Sequence, residues 1–226
     1  MTRRLLVHDL GRRDYAEVLE LQRSLCHQRQ QGELTEALLL LVEHPPVVTM
    51  GRGTRPQSLP VSASELSGRG VEVFEVERGG DVTFHGPGQL VGYPIIDLRQ
   101  HREDLHWYLR RIEGSLIEAL ETLGIAAGRQ SGLTGVWTSG RKIASIGIHV
   151  KQWVTFHGFA LNVTTDLDYF DLIVPCGIQN VIMTSVAQEL GRTDSAVWDE
   201  TRQAVIESVA EGLTLVPAEI SAYSSG

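Results

Sequence analysis

The order of apolar and polar positions divides the chain into interspersed strands and helices. Val7 to Leu10 reads as a first short strand. After Asp14, an N-cap type, the residues Tyr15, Val18, Leu19, Gln22, Leu25 and Cys26 recur at three- and four-residue spacing, which places them on one face of a helix. Cys26 on that face reads as a half-buried packing residue. Ala37 to Glu43 is apolar almost throughout, a buried strand ended by His44-Pro45-Pro46. Val47 to Met50 is a second, ended by Gly51-Arg52-Gly53. Thr54 to Gly70 is polar and rich in Ser, Pro and Gly, and reads as a mobile surface loop. Val71 to Val76 alternates apolar and acidic residues, as a half-exposed strand does.

Further on, Arg78-Gly79-Gly80-Asp81 is a turn, Val82 to His85 a short strand broken by Gly86-Pro87-Gly88, and Leu90 to Leu98 another strand. Asp104 caps a long helix with Leu105, Tyr108, Leu109, Ile112, Leu116, Leu120 and Leu123 on one face and Gly124 as its stop. Gly135-Val136-Trp137 reads as a strand. Lys142 to Val150 and Val154 to Val163 form a hairpin turning near Lys151-Gln152. Asp166 to Phe170 is a short helix, Val174 to Gly177 a loop, and Ala196 to Glu211 a C-terminal helix. Ser221 to Gly226 reads as a disordered tail. The interspersion predicts an α/β (α+β) domain with a mixed sheet flanked by helices, not a doubly wound one.

Composition narrows the class. With 226 residues and 42% hydrophobic content, one catalytic domain with a sizeable core is expected, its folded part running from about residue 5 to 213. No apolar run is long enough to cross a bilayer and no signal-peptide pattern opens the chain, so a cytoplasmic protein without membrane contact is expected. Two cysteines make no disulfide framework and no CxxC metal pair. A net charge of −8 argues against a general nucleic-acid binder. A monomer is expected.

Three features carry candidate chemistry. Cys176 lies in Ile173-Val174-Pro175-Cys176-Gly177-Ile178, between a residue that fixes the chain and one that lets substrate approach. Backbone N–H groups at Cys176 and Gly177 could hold an oxyanion. Local sequence alone favours a small inert thiol in a turn. Lys142 opens an apolar strand and reads either as a snorkelling surface cation or, facing a cleft, as a group that favours a nearby thiolate and takes a proton from an amine. The run Arg78 to Gln89 mixes Arg, Asp, Thr and His with glycines, so a ligand can lie against its main chain. It matches neither a phosphate-binding Walker loop nor a dinucleotide fingerprint. His85, His149 and His157 lack metal-ligand spacing, while a Cys–His pair using His85 or His157 stays open beside the Cys–Lys pair.

Taken in order, Arg78 to Pro94, Gly140 to Gly147, His157 to Asn162 and Pro175-Cys176-Gly177-Ile178 resemble the lipoyl(octanoyl) transferases, over about Leu5 to Leu213. The resemblance implies the biotin/lipoate protein ligase catalytic-domain fold. It implies an octanoyl-[acyl-carrier-protein]:protein N-octanoyltransferase with Cys176 as the acyl-thioester nucleophile and Lys142 as its acid/base partner. It places Arg78, Gly79, Gly80, Asp81, Val82, Thr83, Phe84, His85, Ser145, Ile146, Gly147, Gly158, Phe159 and Ala160 along the acyl substrate, and Ile146, Ile148, Phe159, Leu161 and the Gly79-Gly80 backbone are expected to wall the tail. The implied donor is octanoyl-4′-phosphopantetheine on acyl carrier protein. The implied acceptors are lipoyl domains of 2-oxoacid dehydrogenase complexes and the glycine cleavage H protein. No cofactor, neither ATP nor a metal, is implied. Both partners are acidic, so Arg52, Arg55, Arg78, Arg129, Arg141 and Lys151 are candidates for a basic docking patch.

Overall fold

The computed structural model describes residues 3–174 and 181–219. Helix α1 (Tyr15–Gln31) follows strand β1 (Arg4–Arg12), and β2 (Ala37–Glu43) and β3 (Val47–Met50) come next. After α2 (Ala63–Gly68) the chain runs through β4 (Glu72–Glu75), β5 (Val82–His85), β6 (Gln89–Ile95), α3 (Leu105–Thr122) and β7 (Val136–Thr138). It ends with β8 (Arg141–Lys151), β9 (Val154–Asn162), α4 (Val186–Leu190), α5 (Ala196–Gly212) and β10 (Val216–Glu219). A seven-stranded sheet has the order β10-β1-β2-β6-β9-β8-β7, with β10, β1 and β2 parallel and the rest antiparallel. A three-stranded sheet, β4-β3-β5, accompanies it. The mixed sheet and its flanking helices match the expected class.

The uninterrupted apolar run of β2 has a simple cause: this central strand is buried on both faces. Leu39 and Leu41 join the core under α3 and α5, while Leu38, Leu40 and Val42 pack with Val18, Leu25 and Cys26 of α1. Most boundaries follow the sequence reading. The hairpin turn falls one residue later than expected, at Gln152-Trp153, where both φ are positive (51° and 63°) without the Asn or Gly that usually marks such a turn.

Two expectations need correction. Thr54 to Gly70 is not a plain loop: it holds a 3₁₀ turn (Pro56–Ser58) and α2, whose Ser62 hydroxyl accepts the Glu65 N–H and whose Leu66 is fully buried. Polar composition hid that one-sided helix. Leu105 is 45% exposed and leaves the apolar face of α3, because it stands at the first helical position beyond the core. Two short elements went unread: α4, whose five residues are too few to show a helical period, and β10, whose Pro217 argues against a strand. The expected disordered tail, Ser221 to Gly226, and the Pro175-Cys176-Gly177-Ile178 turn lie outside the described residues.

Glycines set the close packing of the central strands of the large sheet. On β6, β9 and β8, Gly92 stands opposite Phe159 and Gly158 opposite Gly147. A Cβ on Gly158 would sit 2.1 Å from the Gly92 carbonyl oxygen and 2.7 Å from Pro94 Cδ. Main chain cannot give way as a side chain can, so Gly158→Ala is expected to cost about 1–3 kcal/mol of stability. Gly68→Ala, with open space around it, should stay within about 0.5 kcal/mol of the parent. Urea denaturation midpoints check both, and equal midpoints would remove the close-approach argument.

Candidate active site

The loop between β4 and β5 lies across β8. The Gly79 N–H donates to the Ile148 carbonyl at 2.9 Å, and a Cβ on Gly147 would stand 3.0 Å from Arg78 Cδ and 3.1 Å from the Gly79 carbonyl. Arg78 is buried and turned inward: its guanidinium donates to the Thr49 hydroxyl and carbonyl, the latter at 2.7 Å, and to the Gly79 carbonyl. Gly53 N–H holds the Gly80 carbonyl at 2.9 Å.

Between this loop and the β8–β9 hairpin runs a cleft. Of the expected substrate residues it is lined by Arg78, Gly80, Asp81, Val82, Thr83, His85, Ser145, Ile146, Gly147, Gly158, Phe159 and Ala160. Gly79 and Phe84 do not line it. Gly79 is spent on the bond to Ile148, and the Phe84 ring turns the other way to stack on Tyr169 at 4.7 Å. Of the expected tail walls, Ile148 and Leu161 belong instead to the core on the α3–α5 side. The cleft is also lined by Tyr15, Val91 and Tyr93, to which the sequence reading gave no role, and by His157, which it offered only as a candidate partner of a cysteine. Tyr15 lies on a helix read as purely structural, while Val91 and Tyr93 lie inside the Arg78 to Pro94 block, beyond the part of it expected along the substrate.

A buried polar chain supports one wall. His85 Nδ1–H donates to Gln89 Oε1 at 2.8 Å, the Gln89 amide donates to Asn162 Oδ1 at 3.0 Å, and the Asn162 amide donates to the Thr184 carbonyl at 3.0 Å. Behind His85, His44 donates to the Arg13 carbonyl and accepts from the Tyr93 hydroxyl, both at 2.8 Å. Burial, reinforced by His44, pulls His85 down to about 3, and burial pulls His44 down to about 4. Both rings are therefore neutral at ordinary pH.

Lys142 is 1% exposed, the reverse of a snorkelling cation. Its Nζ lies 5.5 Å from the centroid of the Trp137 ring. Its N–H donates to the Ile182 carbonyl at 2.8 Å and its carbonyl accepts from Thr184 N–H at 2.9 Å. Glu189 on α4 holds both neighbours, pairing with Arg141 at 2.9 Å and accepting from the Thr184 hydroxyl. The segment that follows residue 180 is thus tied to Lys142. The segment that precedes residue 175 is tied to the cleft as well. Val174 N–H donates to the Ser58 carbonyl, and the Ser58 hydroxyl donates to Asp81, both at 2.8 Å. Among the described residues, no group of three or more His, Cys, Asp or Glu is placed to hold a metal ion, and no helix is long and apolar enough to cross a membrane.

The architecture is that of a lipoate protein ligase catalytic domain. A solved structure of a putative lipoate protein ligase from T. acidophilum matches with a TM-score of 0.72, covering 99% of this chain and 90% of that one at 18% identity. The model of the lipoyl protein ligase A/B catalytic domain matches residues 14–212. An octanoyltransferase of Koribacter versatilis is 53% identical over 192 residues, 83% of this chain and 76% of that protein. One from Nostoc sp. is 44% identical over 93% of this chain and 94% of its own length. The chain belongs to the lipoyl protein ligase A/B catalytic family, on its octanoyltransferase branch.

Gly135 gives a direct handle on Lys142. At φ +131° it lies where a Cβ would come within 2.8 Å of Lys142 Cε and 2.7 Å of the Ala144 carbonyl, and its N–H donates to the buried Glu113 carboxylate at 3.2 Å. Gly135→Ala is expected to displace the Lys142 side chain and lower the acyl-transfer rate about tenfold or more. Circular dichroism should stay native. An unchanged rate in a folded variant would separate Lys142's position from the chemistry.

Proposed function

We propose that this chain transfers an octanoyl group from octanoyl-acyl carrier protein to the ε-amino group of a lysine on lipoyl domains, through a thioester on Cys176, with Lys142 handling the protons. Family membership supports octanoyl transfer in protein lipoylation. The observation that carries the catalytic pair is the anchoring of both flanks of residues 175–180. One flank is held through Ser58 to Asp81 on the cleft, the other by backbone bonds to the buried Lys142.

The Cys176 thiolate attacks the donor thioester carbonyl, and the carrier's thiol leaves with a proton from the Lys142 ammonium. Thioester exchanges for thioester, so this half is nearly level in energy. The acceptor lysine amine then attacks the acyl-enzyme. Neutral Lys142 takes the amine's excess proton, and the Cys176 thiolate is restored. Thioester becomes amide, which makes the second half downhill. The donor arrives activated, so the reaction needs no ATP, and no step calls for a metal. In the apolar cleft, six methylenes contribute at most about 5 kcal/mol of binding at about 0.8 each.

The acceptors fit as lipoyl domains of 2-oxoacid dehydrogenase complexes and the H protein. Docking of acidic partners on a chain of net charge −8 calls for a local basic surface. Of the expected cations, Arg78 is committed inward, Arg129 pairs with Glu113, and Arg141 pairs with Glu189. Arg52, Arg55 and Lys151 are exposed, and Arg52 lines grooves shared with each of the other two. These three are the docking candidates that remain.

Intact mass after mixing with octanoyl-acyl carrier protein, without ATP, tests the scheme. The expected result is an octanoyl adduct that is absent in Cys176→Ala and is discharged by a lipoyl domain. Full transfer by Cys176→Ala, or transfer only when ATP and free acid are supplied, would refute it in favour of a ligase reaction.

A further inference from the structure

Along the hairpin, the cleft has a defined order. Ser145 stands opposite Ala160, Ile146 opposite Phe159, Gly147 opposite Gly158 and Ile148 opposite His157. Lining ends at Gly147 on β8 and His157 on β9, at the far end from Lys142. Five residues of strand separate Lys142 from Gly147, about 16 Å.

Beyond His157 the surroundings change. A separate, more open groove lies there, where Arg23, Glu77, His149 and Lys151 join Cys26 and Phe156 in the lining. His157 is 1% exposed. It is held at φ +56°, and its N–H donates to Gln22 Oε1 at 2.9 Å. Gln22 is a fully buried residue inside α1. A polar side chain there is costly unless it serves a partner, and here it anchors the bend of β9. His157 Nε2 has no hydrogen-bond partner among the described residues, and stands 3.8 Å from Glu77, whose carboxylate is engaged by Arg23 at 3.0 Å. Burial pulls the ring down to about 3, so the imidazole is neutral at ordinary pH.

Resting on the acyl-transfer reading above, we infer that the His157 side chain is the end wall of the acyl slot and sets the length of the transferred chain. A tail that stops short of the ring packs against Ile146 and Phe159. A longer one must push the ring toward Glu77 and lay methyl groups against a buried, unpartnered nitrogen. Volume and polarity oppose the extra carbons together. A purely apolar pocket lacks that second effect and discriminates weakly between neighbouring chain lengths. His157 acts here as a specificity-determining residue, separate from the proton chemistry.

The test compares kcat/KM for hexanoyl-, octanoyl-, decanoyl- and dodecanoyl-acyl carrier protein, with a lipoyl domain as acceptor, in the full chain and two variants. His157→Gly removes the wall and suits φ +56° without strain. His157→Asn keeps a polar head on a shorter side chain, in the residue best tolerated there after glycine. The decanoyl-to-octanoyl ratio is expected to rise about tenfold or more in His157→Gly and less in His157→Asn. A ratio equal to the parent's in a folded His157→Gly overturns the inference. Where that variant does not fold, an unchanged ratio in His157→Asn does so. A parent inactive with all four donors refutes the transfer reading itself. The wall is then judged by the same ratio in equilibrium binding of free octanoate and decanoate to parent and variant.

Discussion

The site depends on one close approach of main chain to main chain. The Gly79 N–H reaches the Ile148 carbonyl at 2.9 Å only because Gly147 offers no side chain to the Arg78–Gly79 turn. That contact brings the small sheet over the large one and turns a flat β8–β9 hairpin into a cleft wall. Arg78 reinforces it from within. A buried guanidinium is expensive unless its donors are used, and Thr49 and Gly79 take them. An arginine expected to greet an anionic partner is thereby a strut of the cleft.

The two ends of the cleft have opposite characters. Past the Ser145 end, three residues back along β8 and outside the cleft lining, Lys142 is enclosed by Trp137 and Gly135 and fixed by main-chain bonds to Ile182 and Thr184, with Glu189 bracing both Arg141 and Thr184. At the other, a bent strand carries a neutral imidazole backed by Gln22 and Glu77. The wall between is largely apolar and is supported from behind by the His85–Gln89–Asn162 chain, which ends on the Thr184 carbonyl. Thr184 thus joins the Lys142 end to the middle of the cleft.

Much of this was legible in the sequence, for identifiable reasons. β2, α1, α3 and α5 carry enough apolar residues in register to declare themselves, and the glycine-rich blocks marked where main chain comes close to main chain. The residues expected along the substrate fall together around one cleft, apart from Gly79 and Phe84, whose positions in the block did not reveal which way each faces. What stayed hidden depends on distant parts of the chain. Tyr15 and Gln22 reach the site from a helix whose own pattern says only that one face is buried. α4 is too short to read, yet its Glu189 holds the residues around Lys142. Lys142 itself was ambiguous, since a cation at the start of an apolar strand reads as exposed until tertiary contacts cover it.

The central claim is that Lys142 and Cys176 act as a pair, and the thiol's own acidity tests it most directly. Alkylation of Cys176 by iodoacetamide can be followed by peptide mass across pH, in the parent and in Lys142→Met. Cys26 is no competitor, because burial pushes its thiol up to about 11. A lysine ammonium beside the thiolate predicts a Cys176 profile with its midpoint well below the ~8.5 of a free cysteine. Replacing the charge should move that midpoint up toward 8.5 or beyond. Superimposable profiles in the two proteins would contradict the pairing.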